Sequence, residues 1–195
     1  PADVVRATTL KVSNGVEVHA PDVNASEWDC TLEGSALRLG LRMAKGLSEA
    51  EGKRIAASRP YASVHELKLN SKDLRCLAAA GALQSLAGHR RLAHWAAAGA
   101  ERRAPPDGPR FERMPLLMAA REGEDIAADY PGLGLTLGRH PLALLRGNLD
   151  RRKVCRASEM QRLPHGSRVR VAGLVTCRQR PDTASGVVFV TLEDE

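Results

Sequence analysis

The feature that most restricts how this chain can fold is a helix stop followed at once by a helix start. In MAKGLSEAEGKRIA, residues 43–56, one helical run halts at Gly46 and Ser48 is placed to begin the next. Glycine enters the left-handed region without steric cost, so the chain can reverse at Gly46. Ser48, with Glu51 three residues on, matches the capping-box pattern, in which a side-chain oxygen takes up an unpaired first-turn amide. A reversal and a restart this close together predict a tight helical corner.

The same punctuation recurs downstream. Ser63 with Glu66 repeats the capping-box pattern, and Asn70 with Asp73 is a looser version. Pro60 separates the first two helices, and Gly81 suits the position just past the end of the third. Residues 41–98 therefore read as helical. The second corner, at Leu69-Asn70-Ser71, has Lys68 and Lys72 beside it, as the first has Lys45 on one side and Lys53-Arg54 on the other. Unpaired amides at a helix start, with the helix dipole behind them, suit an oxyanion such as a DNA phosphate. The candidate contacts are Lys45, Gly46, Leu47, Ser48, Lys53 and Arg54 at the first corner, and Lys68, Asn70, Ser71 and Lys72 at the second. An ordinary corner with solvated amides is the alternative reading. Gly52 counts mildly against a strong helix, costing about 1 kcal/mol relative to alanine.

Strand signals flank this helical block. Val16–Pro21 reads as a short strand after the Asn14-Gly15 turn, and Leu37–Leu41 as another alternating piece. Over residues 100–115 the composition turns Pro-, Arg- and Gly-rich, as in a linker. A helix is expected around Glu122–Tyr130, ending at Pro131-Gly132. In RVRVAGLVTCRQR, Val169, Val171, Gly173, Val175 and Cys177 share one parity, while Arg168, Arg170, Ala172, Leu174, Thr176 and Arg178 share the other. That is the period of a strand over 168–178, with the arginines on one face. A polar turn through Pro181–Gly186 leads to a second strand at Val187–Leu192. A lone two-stranded hairpin is marginal in water, so residues 168–195 either pack on the preceding helix or open a larger sheet whose remainder is cut off, and the second is the preferred reading. The expected class is mainly α with a β part (α+β).

Net charge is +6 over 195 residues, with a pI near 9.5, which fits an anionic partner. Aromatics are only 3%, so the core must come from Leu, Val, Ile and Ala. Cys30, Cys76, Cys155 and Cys177 are too far apart for a zinc site or a disulfide framework, and a reducing cytoplasm is the expectation. No apolar run approaches a membrane span and no signal peptide is visible. Glu122, Glu124 and Asp125, and the terminal Glu193-Asp194-Glu195, read as solvated charges at element ends. No motif for catalysis or metal binding is present, and the GLGLTLG stretch lacks the Gly-Lys-Ser/Thr ending of a phosphate loop.

Several blocks resemble one family in matching order: GVEVHAPDVNASEWDCTLE (15–33), LRLGLRMAKGLSEAEGKRIAASRPYASVHEL (37–67), AAAGALQSLAGHRR (78–91), GLTLGRHPLALLR (134–146) and RVRVAGLVTCRQRPDTASGVVFVTLEDE (168–195). The chain resembles the C-terminal part of the bacterial C-family DNA polymerases, relatives of the polymerase III alpha subunit, and within them the error-prone, translesion branch. The resemblance implies the end of a fingers region over 1–35 and a tandem helix-hairpin-helix module over 36–99. It further implies the linker at 100–115, a helical connector over 116–165, and the opening strands of an OB-type barrel over 166–195. It implies duplex DNA held by the two corners, single-stranded template near Arg168, Arg170 and Arg178, and accessory translesion proteins as partners. The family's catalytic aspartates lie in the palm, which nothing here matches, so magnesium is expected for the parent polymerase and not for this piece. Between Leu67 and Leu74 the chain is shorter than the family pattern, which predicts a distorted second corner. A stand-alone, non-enzymatic DNA-binding module and a protein-interaction scaffold remain as alternative readings.

Overall fold

A computed structural model describes residues 15–100, 116–184 and 186–195, so the sequence calls on residues 1–14 and on the linker at 101–115 lie outside it. The chain divides into two compact units, Pro1–Leu137 and Gly138–Glu195.

The first unit opens with three short strands, β1 (Val18–His19), β2 (Thr31–Glu33) and β3 (Ala36–Arg38), in the order β1-β3-β2. β3 runs parallel to β1, with Val18 opposite Leu37, and antiparallel to β2, with Leu32 opposite Leu37. The loop between β1 and β2 lies on the helices. Asn24 exchanges two hydrogen bonds with the backbone of Tyr61, and the Val23 amide donates to Ala82 O at 3.0 Å. Inside that loop, the buried Ser26 hydroxyl donates to Leu39 O at 2.7 Å.

The helices then follow in close succession: α1 (Glu49–Ser58), a 3-10 turn at Val64–Leu67, α2 (Ser71–Ala79), α3 (Gln84–Ala87), α4 (Arg90–Ala100) and α5 (Glu122–Gly132). Ser63 heads only the 3-10 turn and makes no capping bond to its backbone; its hydroxyl instead reaches the Glu66 carboxylate. α5 begins at Glu122 as predicted but runs through Pro131 to Gly132. The core is aliphatic, as the scarcity of aromatics requires, with Leu39, Leu41, Ile55, Leu67, Leu77 and Leu83 all inaccessible to solvent. Each such leucine or isoleucine contributes about 1.5–3 kcal/mol by leaving water. A buried ion pair fastens α4 to α5: Arg90 binds Asp129, whose other oxygen accepts the Thr136 hydroxyl at 2.7 Å.

Gly52 has a specific reason to be glycine. The Trp28 ring lies against α1 there, and a Cβ on Gly52 would fall 2.3 Å from Trp28 Cε3. The weak helix former is thus the residue that admits the indole.

The second unit consists of α6 (Pro141–Arg151), α7 (Ala157–Met160), β4 (Leu174–Gln179) and β5 (Phe189–Glu193). His140 caps α6, its Nδ1 accepting from the Leu142 amide at 3.2 Å, with Pro141 in the first-turn position that suits proline. β4 and β5 pair antiparallel, with a register shift between Val175 and Cys177. The alternation over 168–178 does not give one continuous strand. Arg168 and Arg170 precede β4 in a segment that bridges to the stretch just after α6 through Val171 and Cys155. The Cys155 amide donates to Arg170 O at 2.8 Å.

The terminal acids are also not solvated as expected. Asp194 and Glu195 close on Arg146 of α6, and the three side chains are only 10, 14 and 9% exposed. Burial works to raise the Asp194 pKa, yet amide hydrogen bonds from Ala157 and Glu195 and the Arg146 charge outweigh it and hold the carboxyl below its usual value.

Two outcomes follow from these packings. Gly52→Ala should destabilise the first unit by about 1–3 kcal/mol in urea unfolding despite alanine's better helix propensity. A neutral or stabilising effect would mean Trp28 does not sit on that face. In the second unit, a depressed carboxyl pKa adds stability that is present above the unfolded value and lost as pH falls through the folded one. Amide exchange at Ala157 should therefore quicken as pH drops below about 4, once intrinsic rates are allowed for, and Asp194→Asn should abolish that dependence.

Candidate nucleic-acid interface

Both corners are built on one backbone sequence of events. At the first, Gly46 takes φ +88°, Leu47 turns inward and Ser48 caps α1. At the second, Lys68 takes φ 48° and ψ 41°, Leu69 turns inward and Asn70 caps α2. Leu47 is buried and Leu69 packs on the same core. The second corner, for which a distortion was expected, keeps the order of the first: a left-handed residue, a leucine, then a capping acceptor.

The caps satisfy one amide each. Ser48 Oγ accepts from the Glu51 amide at 3.4 Å, and Asn70 Oδ1 from the Asp73 amide at 2.9 Å. Asn70 also donates to the Asp73 carboxylate at 2.7 Å, so the second cap is held from both sides. The amides of Glu49 and Ala50, and of Ser71 and Lys72, find no acceptor among the described residues. They are the unpaired first-turn donors that every helix start carries.

The charges around the two corners differ. Lys45 Nζ donates to Tyr130 O at 2.7 Å, and its amide donates to Gly132 O, so it is tied to the carbonyl-rich end of α5. Lys53 pairs with Glu49 at 2.7 Å, and hydrogen bonding to Glu49 raises its pKa. Arg54 bonds Glu51 and also donates to Leu67 O at 2.8 Å, bracing the residue just before the second reversal. Lys68 and Lys72, by contrast, are exposed and form no ion pair among the described residues. The second corner thus offers freer cations than the first.

Burial raises the Cys76 thiol pKa, the Asp73 charge adding to it; its sulfur lies 3.0 Å from where a Cβ on Gly46 would stand.

In the second unit, Arg178 is exposed on β4, opposite Val190, and the neighbouring Phe189 is 57% exposed. Arg168 and Arg170 stand apart from it, beside Arg151, Arg152 and Lys153, and Arg170 donates to Arg152 O at 3.3 Å. The sequence reading did not weigh residues 151–153. Their signal was the basic run in DRRKVCR, which lacks any spacing motif. Nor did it find Trp28, Tyr130 and Gly132 as supports of the first corner, since each acts across a long sequence separation.

A profile described as a helix-hairpin-helix motif matches residues 15–93. A protein of Alkalilimnicola ehrlichii named error-prone DNA polymerase is 49% identical over 93% of this chain. Proteins of the same name from Azoarcus sp. and Pseudomonas aeruginosa are 47% and 45% identical over the same share. The chain is homologous to a segment of the error-prone DNA polymerases. It spans 19% of the length of each of these three relatives. The helix-hairpin-helix match covers both corners, together with the strands that precede them.

Equivalent positions in the two corners should respond oppositely to substitution. Lys68→Gly removes a left-handed penalty and should raise stability by about 1 kcal/mol, whereas Gly46→Ala introduces one and should lower it by at least as much. Thermal unfolding of both variants checks this, and a destabilised Lys68→Gly would contradict the left-handed backbone at that residue.

Proposed function

We propose that this chain is the DNA-holding part of an error-prone DNA polymerase used in translesion synthesis, corresponding to the C-terminal region of that enzyme. The observation that carries the reading is the repetition of one corner geometry, each copy presenting two unpaired amides to solvent beside basic side chains. Such a pair suits successive phosphates of a duplex, and contacts of this kind fix register without reading bases. The identity to named error-prone polymerases over 93% of the chain supports placing it in such a parent.

In this reading the corners hold duplex leaving the active site. Arg168, Arg170 and Arg178 meet single-stranded template, with exposed Phe189 available to stack on a base. The exposed apolar side chains of the hairpin, Val175, Val190 and Leu192 among them, support its completion by further strands into an OB-type barrel. Residues 1–35 correspond to the end of the fingers and 116–165 to a connector, and accessory translesion proteins bring the parent to damaged DNA in the cytoplasm. No helix of the described residues is long and apolar enough to cross a membrane. Nucleotidyl transfer belongs to the parent's palm. Magnesium for that step belongs with it in the parent.

Charge pairing decides which residues matter most. Because Lys53 is already neutralised by Glu49 while Lys68 and Lys72 are not, the lysines of the second corner should dominate. The Lys68→Ala, Lys72→Ala double variant should weaken binding to unrelated duplexes alike and reduce the log–log salt slope by about 1.8, or 0.9 per phosphate contact. Lys53→Ala should change either quantity little. Fluorescence anisotropy across a salt series measures both; an affinity indifferent to salt would favour a protein-interaction scaffold instead.

A further inference from the structure

The helix-hairpin-helix match ends at residue 93, yet the two corners are joined by chain that lies well beyond it. The first unit runs to Leu137 and so includes α5 and the turn that follows it. That turn reaches both corners from behind. Gly132 O accepts the amide of Lys45, the residue before the first reversal, at 2.9 Å. Gly132 also lies against the last residue of α2, the helix that the second corner starts, where a Cβ would fall 2.3 Å from Ala79 O. Gly134, at φ +86°, passes the Lys45 side chain so closely that a Cβ would stand 3.0 Å from its Cε. Glycine and leucine alternate over 132–135, the glycines admitting neighbouring chain while Leu133 and Leu135 anchor the turn in the core.

Asp129 holds this turn in shape. Its backbone carbonyl accepts the Leu133 and Gly134 amides at 2.7 and 3.2 Å. One carboxylate oxygen takes the Arg90 guanidinium of α4, and the other takes the Thr136 hydroxyl at 2.7 Å. Arg90 and Asp129 are both buried, where each charge depends on the other. Arg90 also donates to Asp125 O at 2.8 Å, so one side chain fixes α5 against α4 while Asp129 fixes the turn against α5. The corners touch each other as well: the Cys76 sulfur of α2 packs against Gly46, and Arg54 of α1 donates to Leu67 O.

We propose that α5 and the turn Gly132–Thr136 are a brace that holds the two corners in one fixed relation, with Asp129, Thr136 and Gly132 as positioning residues and not DNA contacts. The inference rests on the duplex-holding reading above and extends the holding module from residues 36–99 to the turn after α5. Two weak phosphate contacts act together only when their separation is fixed, because the second contact is then intramolecular. Loosening the brace therefore lowers affinity while leaving every cation in place.

Gly132→Ala changes no charge, and Thr136→Val removes one hydroxyl from Asp129. In the full chain, below its melting temperature, each should lower affinity for unrelated duplexes about tenfold or more, with the log–log salt slope of the parent chain retained. Thr136→Ser should restore the affinity. Cys76 reports on the first corner, and Cys30, elsewhere in the unit, on general unfolding. Alkylation with peptide mapping should show Cys76 quickened in both variants and Cys30 unchanged. If Gly132→Ala does not fold, Thr136→Val and its serine counterpart decide. Parent-like duplex affinity in Thr136→Val would overturn the brace and leave the corners as the DNA contact. A lower affinity with a smaller salt slope would signify a lost phosphate contact, and Cys30 quickened along with Cys76 a general destabilisation; either overturns the brace alone. A parent chain that binds no duplex would overturn the holding reading itself.

Discussion

Everything the two corners can do depends on the leucine that follows each reversal. Leu47 is buried in the aliphatic core and the half-buried Leu69 packs against it, and this anchoring lets the next residues stand clear of it. A helix start buried without partners for its first-turn amides would be costly, whereas one held at the surface leaves them free for water or a ligand. The leucine thus converts hydrophobic burial, worth about 1.5–3 kcal/mol for a fully buried side chain and less for the half-buried Leu69, into a fixed direction for the amides beyond it. α2 carries this further, since its Leu74 and Leu77 belong to the same core.

The corners share a backbone but not an electrostatic design. At the first, Lys45 is held by α5 and Lys53 by Glu49, which leaves the unpaired amides as its main attraction for an anion. At the second, a lysine occupies the reversal itself and another sits in the first turn. Substituting lysine for glycine at a left-handed position sacrifices backbone ease for a charge at the bend. The same exchange occurs at Lys153, in the other unit. Both left-handed lysines stand in basic surroundings, where glycine would take the turn more easily but carry no charge.

The sequence made the corners legible because their chemistry is local. Ser48, Asn70, Gly46 and Gly81 act on backbone within a few residues, so composition and spacing reveal them. The resemblance to error-prone polymerases rested on block order, and the identity of named relatives agrees with it. Features that needed a distant partner were invisible. Gly52 looked like a helix defect until Trp28 was seen against it. Ser63 carried a capping-box pattern, yet only a 3-10 turn follows it. The terminal acids looked solvated because nothing nearby in sequence announced Arg146. The alternation around Arg168 and Arg170 was genuine, but those residues bridge to Cys155 and the ladder with β5 begins only at Leu174.

That last misreading has a physical consequence for how the second unit handles charge. On a continuous strand, Arg168, Arg170 and Arg178 would form one file on a single face. With the strand starting at Leu174, Arg178 stays on the hairpin while the other two join the end of α6. The basic surface is divided between a hairpin bearing an exposed phenylalanine and a cleft bearing none. Stacking on a base needs a ring, whereas contact with a phosphate needs only a donor or a charge. The hairpin therefore carries Arg178 beside an exposed ring, while the other basic side chains gather where no ring is present.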